Sequence, residues 1–215
     1  DQICNSLEWL GLNWDEELVF QSKRIERYRE VADGLLEQGK AYRCFSSKDK
    51  LKKIRKETGS YQYPGIWRNR SEEDIKAELA KGTPFTIRLR SPKEGTTVVD
   101  DFIYGDIKVS NSELDDFILV RSDCSPVYNL VAVVDDHDMV ISHVIRGEDH
   151  VPNTPKQILI YQALNWHIPK FAHLPMILGS DGKRLSKRHS ATGVQSYRNE
   201  GYQPEALLNY LSLLG

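Results

Sequence analysis

The stretch YNLVAVVDDHDMVISHVIRGEDH, residues 128–150, decides the fold class of this chain. It holds two apolar segments, 128–134 and 140–145, and charged residues follow each of them. Apolar runs of this length without alternation are typical of strands in a parallel sheet that is covered on both faces. A helical pattern then spans 154–164, and 175–178 is a further apolar segment. Strand, helix and strand in this order predict an α/β fold with a doubly wound sheet.

The residues that precede this stretch predict a smaller unit of helices and strands. Amphipathic helices are predicted at 3–12, 24–38 and 48–57 and from Ser71 onward, so that four helices come before the first clear strand. Segments rich in β-forming residues follow at 85–90, 97–102, 105–109 and 117–120. Their regular spacing, with Gly, Pro, Asn and Ser between them, predicts an antiparallel meander inserted before the doubly wound sheet.

The composition limits the kinds of partner. With 29 Lys and Arg against 31 Asp and Glu in 215 residues, the formal net charge is −2, so nucleic-acid binding requires a local basic surface. No apolar run reaches the roughly 18 residues of a membrane span, no signal-peptide pattern is present, and Cys4, Cys44 and Cys124 form no CxxC pair. These features predict a cytoplasmic protein without membrane contact, or an organellar one whose targeting segment is missing.

Both ends are expected to lie inside a larger structure, because neither Asp1 nor Gly215 is flanked by a polar tail.

A basic loop follows the apolar segment 175–178. The motif GSDGKRLSKRH, residues 179–189, contains four cationic side chains, those of Lys183, Arg184, Lys187 and Arg188. Such a loop suits the binding of a polyphosphate. Its two glycines are too close together for a Walker A loop, and no Ser or Thr directly follows Lys183. A solvated surface turn is the alternative interpretation.

Two charged motifs end the apolar segments of the first stretch. In VIRGEDH, residues 144–150, Arg146 lies at the carboxyl end of a predicted strand, where open α/β sheets bind ligands, and its guanidinium suits a carboxylate or a phosphate. The alternative is a structural ion pair with Glu148 or Asp149. In DDHD, residues 135–138, the residue types suit a divalent metal, but the alternating directions of side chains on an extended segment favour a structural role at a strand end.

A separate basic motif, KDKLKKIRK at 48–56, predicts a helix with a cationic face. Helical spacing puts four cations along one side of this helix, Lys48, Lys52, Arg55 and Lys56. The stripe suits a nucleic-acid backbone, and a merely solvated helix face is the alternative.

Taken together, these motifs and their spacing resemble the class I aminoacyl-tRNA synthetases, and in particular the bacterial-type glutamyl-tRNA synthetases. Residues 184–188, RLSKR, look like the KMSKS loop of this family in its KLSKR form, with Arg184 in place of the first Lys. Further matches occur in order along essentially the whole chain. They are LEWLGLNWDE at 7–16, QS at 21–22, GKAY at 39–42, SPVYN at 125–129, VVDDH at 133–137, NTP at 153–155 and PEALLNY at 204–210.

The resemblance implies an activity and a set of site residues. Members of this family combine glutamate with ATP, supplied as its magnesium complex, into glutamyl-adenylate, and then transfer the glutamyl group to the terminal ribose of a tRNA. By resemblance, Lys187 stabilises the transferring phosphates. The other implied roles are loop shaping by Arg184, Ser186 and Arg188, ATP contact by Asp149 and Ile177, and glutamate binding by Tyr128 and Arg146. The cationic stripe supplies Lys48, Lys52 and Lys56 as tRNA-binding candidates.

The resemblance also implies the domain organisation. The fold class is α/β, with an incomplete Rossmann-like catalytic domain of the class I type, an inserted α+β acceptor-binding domain and the start of a helical stem-contact domain. On this assignment the first half of the catalytic domain ends within 1–21 and the inserted domain spans 22–127. The second half of the catalytic domain spans 128–177, and 178–215 carries the signature loop into the stem-contact domain. A monomer is expected.

Two departures from the family pattern change what the resemblance implies. Many bacterial relatives bind a structural zinc through a Cys-x-Cys pair and a later Cys. Here Cys44-Phe-Ser46 keeps only the first, and Trp67 stands at the later position, so no zinc is predicted. The HIGH-type ATP signature and the segment that holds the substrate amino group have no match, so both are expected upstream of Asp1, and the chain alone is expected to be inactive.

Three alternatives stand beside this interpretation. The same parts would also make a tRNA-acceptor-binding module without catalysis. A paralogue that glutamylates a tRNA base is the second alternative, although the helical region at 204–215 fits the synthetase better. A dinucleotide-dependent oxidoreductase is the third, and the chain contains no GxGxxG motif to support it.

Overall fold

The structure is a computed structural model that describes residues 2–178 and 193–213. Contacts between residues divide the chain into two compact units, and each unit is described by itself. The first unit draws its described residues from Asp1–Val19, Arg146–Asp149 and His173–Gly215. The second unit comprises Phe20–Ile145 and His150–Ala172.

Helices and strands alternate along the described residues. The helices are α1 (Gln2–Trp9), α2 (Ile25–Glu37), α3 (Lys48–Thr58), α4 (Glu72–Ala80), α5 (Tyr128–Asp138), α6 (Thr154–Leu164), α7 (Val194–Asn199) and α8 (Pro204–Ser212). The strands are β1 (Ala41–Cys44), β2 (Thr86–Leu89), β3 (Thr96–Asp101), β4 (Gly105–Ser110), β5 (Ile118–Val120), β6 (His143–Gly147) and β7 (Lys170–Leu174). Short 3-10 turns span Gln21–Lys23 and Glu148–Asn153.

Local sequence signals start and stop the helices of the second unit. Ser47 Oγ accepts the backbone N–H of Lys50 at the start of α3, and Ser71 Oγ accepts that of Asp74 at the start of α4. Gly59 ends α3 with a φ of 67°, a left-handed conformation that glycine adopts without strain. The helices predicted from these residues are confirmed, and so is α6 over its whole predicted span.

The strands form two sheets rather than one inserted meander. The three-stranded sheet has the order β1-β2-β5 and is antiparallel, whereas the four-stranded sheet has the order β4-β3-β7-β6. In the second sheet β3 and β4 form an antiparallel hairpin, and β3 lies parallel to β7, with Asp101 opposite Phe171. The predicted meander is therefore wrong, because β2 pairs with β1 and β5 instead of with β3.

The strand predicted at 128–134 is wrong, because these residues begin helix α5. Leu130, Val133 and Val134 are fully buried, and α5 packs against both α2 and α6. A helix with neighbours on several sides buries most of its circumference, so its sequence is as continuously apolar as that of a covered strand. The DDHD motif consequently lies at the end of a helix.

Two shorter segments also differ from the predictions. Strand β1, which lies between α2 and α3, was not predicted, so only two of the four predicted helices precede the first strand. No regular strand spans 175–178, because the strand of this region is β7, which ends at Leu174 just before Pro175. Proline lacks the N–H that a strand in a ladder donates.

The main core of the second unit lies between helices α2, α5 and α6 and the three-stranded sheet. Its fully buried members include Leu35, Leu119, Leu130 and Ile160. Removing this apolar surface from water is the main stabilising contribution to the unit. In the described part of the chain, no helix combines the length and the apolar composition that crossing a membrane requires.

Candidate functional site

Arg146 is anchored by a buried histidine of a neighbouring strand. Arg146 lies near the carboxyl end of β6, and His173 lies on β7. The Nε of Arg146 donates a hydrogen bond to Nε2 of His173 over 3.1 Å. His173 is completely buried, whereas Arg146 is half-buried. The guanidinium therefore has a fixed attachment on its inner side, which suits recognition of a carboxylate in one orientation.

The residues after Arg146 form a tight turn against the segment that follows β7. Glu148 Oε1 accepts the backbone N–H of Met176 over 3.1 Å. A Cβ atom at Gly147 would lie 2.7 Å from Asp149 Oδ1 and 3.5 Å from Met176 Sδ, so only glycine leaves room for the Asp149 carboxylate in this position. Asp149 is exposed, and Ile177, which follows Met176, is also exposed. The first unit thus brings together the segments that carry Arg146 and both candidate ATP contacts.

Tyr128 belongs to the second unit, where it is the first residue of α5 and is exposed. Its hydroxyl lies 3.3 Å from Nδ1 of His150, and the centroids of the two rings are 5.5 Å apart. The amide nitrogen of Asn153 lies 3.4 Å from the same imidazole nitrogen. These contacts hold the Tyr128 ring at the start of the helix with its hydroxyl oriented by His150.

All four predicted catalytic residues lie outside the described residues, namely Arg184, Ser186, Lys187 and Arg188. Their roles remain predictions from the resemblance.

Helix α3 presents its lysines to solvent. None of its residues is fully buried, and Lys48, Lys52 and Lys56 recur at four-residue intervals on one face. Among the residues of 2–178 and 193–213, none of these three ammonium groups lies within 4.0 Å of a carboxylate. The guanidinium of Arg55 lies 5.7 Å from the centroid of the exposed Tyr61 ring. This face therefore carries positive charge and one exposed aromatic ring, the combination that a nucleic-acid backbone and its bases contact.

Comparison with known proteins identifies the family. Residues 1–215 match a family model described as tRNA synthetases class I (E and Q), catalytic domain. The chain belongs to this family. A glutamate–tRNA ligase of Coprothermobacter proteolyticus is 51% identical over 220 residues, which cover 100% of this chain and 47% of that relative. The glutamate–tRNA ligase of Aquifex aeolicus is 51% identical over 219 residues, covering 100% of this chain and 46% of that relative. The chain thus spans about half the length of these curated relatives.

Solved structures of the class I glutamate–tRNA ligases show the same fold. The crystal structure of a glutamate tRNA ligase from Elizabethkingia meningosepticum in complex with its amino acid matches with a TM-score of 0.88 and 34% identity, over 99% of this chain and 50% of that chain. The glutamate–tRNA synthetase of Elizabethkingia anophelis matches with a TM-score of 0.86 and the same identity and coverage. The expectation of an α/β fold of the class I synthetase catalytic domain is therefore confirmed.

The carboxylates of the DDHD motif bind side chains at the start of α2. Asp135 accepts hydrogen bonds from Arg24 Nε and Tyr28 Oη, both over 2.9 Å, and Asp138 accepts from Arg27. Burial and the neighbouring Asp135 raise the pKa of Tyr28 to about 12, and the Arg27 guanidinium lowers the pKa of the Asp138 carboxyl. Across the described ranges, no group of three or more His, Cys, Asp or Glu side chains is arranged to hold a metal ion. Asp135 and Asp138 thus make contacts with residues at the start of α2, and the predicted strand-end position is wrong because the motif ends a helix.

The residues around Cys44 do not fit the zinc of other members of the family. Cys44 is buried and its Sγ donates a hydrogen bond to Tyr63 Oη over 3.2 Å, while the Tyr63 hydroxyl also accepts the backbone N–H of Trp67. The Trp67 ring packs edge-on against Phe45, with centroids 4.9 Å apart. A structural zinc requires four ligands, which are mostly thiolates and imidazoles, and the described residues around Cys44 include only one thiol. The absence of zinc from the protein stays a prediction.

A buried carboxylate that the sequence analysis missed organises the second unit. Asp116 accepts hydrogen bonds from Tyr42 Oη over 2.8 Å and from Arg68 Nη1, and Lys93 Nζ lies 3.0 Å from it. Burial alone would raise the pKa of Asp116, but Arg68, Tyr42 and Lys93 lower it below the ordinary value. No periodic or spacing signal marks Asp116 in the sequence, because its partners come from three other segments.

Proposed function

We propose that the protein to which this chain belongs is a glutamate–tRNA ligase that activates glutamate with ATP and transfers it to tRNA. The observation that carries the proposal is the Arg146 guanidinium, which His173 holds beside the Asp149 turn in a chain about half identical to glutamate–tRNA ligases along its length. A fixed cation is the group that recognises a carboxylate substrate. A glutamine substrate would not supply the side-chain carboxylate that a guanidinium binds, so pairing of Arg146 with that carboxylate would favour glutamate over its amide.

The two substrates of the first step are assigned to separate groups of residues. Arg146 and Tyr128 bind glutamate, and Asp149 and Ile177 contact ATP. ATP enters as its magnesium complex, and Lys187 neutralises phosphate charge while Arg184, Ser186 and Arg188 shape the signature loop. Attack of the substrate carboxylate on the α-phosphate forms glutamyl-adenylate and breaks the bond to the β-phosphate, so that pyrophosphate leaves. Charge builds up on the phosphate oxygens in this step, so catalysis consists mainly of positioning and charge neutralisation.

The tRNA is assigned to the region before α5. In this proposal 22–127 forms the acceptor-binding domain, with 1–21 and 128–177 in the catalytic domain and 178–215 leading into the stem-contact domain. Lys48, Lys52 and Lys56 neutralise backbone phosphates. Direct side-chain contacts around Cys44 take the place of zinc in this region.

Pyrophosphate exchange tests the proposal on the protein expressed from its whole reading frame. With glutamate, ATP and the glutamate tRNA present, the wild-type protein is expected to exchange pyrophosphate into ATP. Arg146→Ala is expected to raise the KM for glutamate about a hundredfold while the KM for ATP changes less than about threefold, because only the carboxylate loses its charged partner. Arg146→Lys keeps the charge but loses the planar guanidinium. Its KM for glutamate is expected to lie between those of wild type and Arg146→Ala.

Two results would count against the assignment. Wild-type protein that binds the tRNA without any glutamate-dependent exchange would support a non-catalytic binding module. An Arg146→Ala variant with normal thermal stability and an unchanged KM for glutamate would remove Arg146 from the glutamate site.

A further inference from the structure

His173 is a polar side chain in a position that otherwise suits an apolar one. It follows Phe171 and Ala172, which are also buried, and it has no exposed surface at all. Burying an imidazole costs free energy unless its polar atoms are hydrogen-bonded. One of its two nitrogens, Nε2, is used to accept the hydrogen bond from Arg146 Nε over 3.1 Å. One function of the buried His173 ring is therefore to hold the half-buried Arg146 side chain in place.

This hydrogen bond determines which edge of Arg146 faces a substrate. A guanidinium pairs with a carboxylate in a bidentate manner through either its Nε–Nη edge or its Nη1–Nη2 edge. Because Nε already donates to His173, a bidentate pair with a substrate carboxylate uses the Nη1–Nη2 edge. The acceptor role of Nε2 also requires the neutral imidazole with its proton on Nδ1, so that no second positive charge faces the guanidinium.

We infer that His173 is a positioning residue, which holds the Arg146 guanidinium end-on toward the carboxylate of the amino-acid substrate. The inference rests on the proposed function. His173 acts through Arg146 and is not in contact with substrate. Removing the acceptor at Nε2 removes this constraint on the guanidinium, and the substrate then meets a cation whose orientation is less well defined.

Two substitutions at His173 separate the acceptor from the shape of the side chain. In His173→Gln the amide oxygen reaches the place of Nε2 and still accepts from Arg146, whereas in His173→Asn the shorter side chain does not reach it. In pyrophosphate exchange, His173→Asn is expected to raise the KM for glutamate about tenfold, with the KM for ATP within about twofold of wild type. His173→Gln is expected to stay within about threefold of wild type for both substrates.

A double-mutant cycle with Arg146→Ala shows whether His173 acts through Arg146. In the Arg146→Ala background, His173→Asn is expected to change the KM for glutamate less than twofold, because the group that it positions is already absent. A purely structural role would give the same multiplicative loss in both backgrounds and would affect both substrates. The thermal unfolding temperature of each variant shows whether the substitution destabilises the fold as a whole.

The outcomes distinguish this inference from the proposed function. If wild-type protein lacks glutamate-dependent exchange, the proposed function is wrong and the inference falls with it. If wild-type protein is active but His173→Asn leaves the KM for glutamate unchanged, or lowers activity equally in both backgrounds, the positioning role alone is overturned.

Discussion

Gly147 brings the backbone so close to the Asp149 carboxylate that no side chain fits between them. An added Cβ would lie 2.7 Å from Asp149 Oδ1, a distance at which one of the two groups must move. The φ of Gly147 lies outside the left-handed region, so alanine is compatible with the backbone itself. The expected consequence of Gly147→Ala is therefore a displaced Asp149 carboxylate rather than an unfolded strand end.

We expect Gly147→Ala to raise the KM for ATP about tenfold in pyrophosphate exchange, because Asp149 leaves the position in which we propose that it contacts ATP. Asp149→Ala is expected to give a similar loss, and the double variant no further loss, since both changes act on one carboxylate.

The matched control is Gly34→Ala in α2, where an added Cβ meets nothing within 4 Å. That change is expected to leave the KM values unaltered and to increase the free energy of unfolding by about 0.5–1 kcal/mol. Additive losses for Gly147→Ala and Asp149→Ala would contradict this explanation.

At the scale of single residues, the sequence indicates which side chains matter but not how they are held. Arg146 and Asp149 stand in a motif that the family resemblance brings out, so both could be named from the sequence. The roles of Gly147 and His173 depend on contacts made in space, with a carboxylate two residues away and with a neighbouring strand. A histidine between apolar residues carries no sequence signal that distinguishes an anchor of arginine from any other buried histidine.

At the scale of secondary-structure elements, the cationic face of helix α3 leads to a quantitative prediction about the salt dependence of tRNA binding. The proposed binding of tRNA through Lys48, Lys52 and Lys56 would release counterions, so affinity would fall as salt rises. Replacing all three lysines with glutamine is expected to weaken tRNA binding and to reduce the slope of log affinity against log salt by about 2. Filter binding or fluorescence anisotropy at several salt concentrations measures this slope.

A control of equal charge separates the α3 face from general electrostatics. Lys53, Lys76 and Lys81 each lie within 4.0 Å of a glutamate, Glu57, Glu72 and Glu78 respectively. Changing these three lysines to glutamine alters the net charge by the same amount and is expected to leave the salt slope nearly unchanged. Equal effects of the two triple variants would show that the face formed by Lys48, Lys52 and Lys56 has no specific part in binding tRNA.

The elements also show where local pattern stops being informative. Serine caps and a terminal glycine mark α3 and α4 in the sequence, and both helices form where these signals place them. Residues 128–134 carry no such signal at their start, and their valines favour a strand by propensity. They form α5 because α2 and α6 bury the helix from several sides, and this tertiary packing outweighs the intrinsic preference.

At the scale of the whole molecule, the sheet arrangement depends on pairings between distant parts of the chain. Asp101 on β3 lies opposite Phe171 on β7, and β2 bridges β1 and β5. Local alternation indicates that a segment is a strand but carries no information about its partner. The α/β class was therefore predictable, whereas the division of the strands into two sheets was not.

Asp116 also links distant segments of the chain, so a substitution at this residue tests how much these contacts stabilise the second unit. Its side chain is 1% exposed and binds cationic side chains from two separate segments, Arg68 and Lys93. Removing the carboxylate charge leaves these cations without their buried partner, which costs more than the loss of a surface ion pair. Asp116→Asn keeps the shape of the side chain while removing the charge, so it isolates the electrostatic contribution.

At pH 7 we expect Asp116→Asn to lower the free energy of unfolding by about 3 kcal/mol. The folded-state pKa of Asp116 lies below its unfolded value, so the ionised carboxylate stabilises the fold fully above about pH 4, and this stabilisation is lost as the pH falls through the folded pKa. The difference in free energy of unfolding between wild type and Asp116→Asn is therefore expected to stay constant from neutral pH to about pH 4 and to shrink below it.

Urea unfolding followed by tryptophan fluorescence at several pH values measures this difference, and Asp106→Asn at an exposed position of β4 serves as the control. A difference that grows as the pH falls from 7 to 5 would contradict the lowered pKa, because the folded state would then take up the Asp116 proton more readily than the unfolded state.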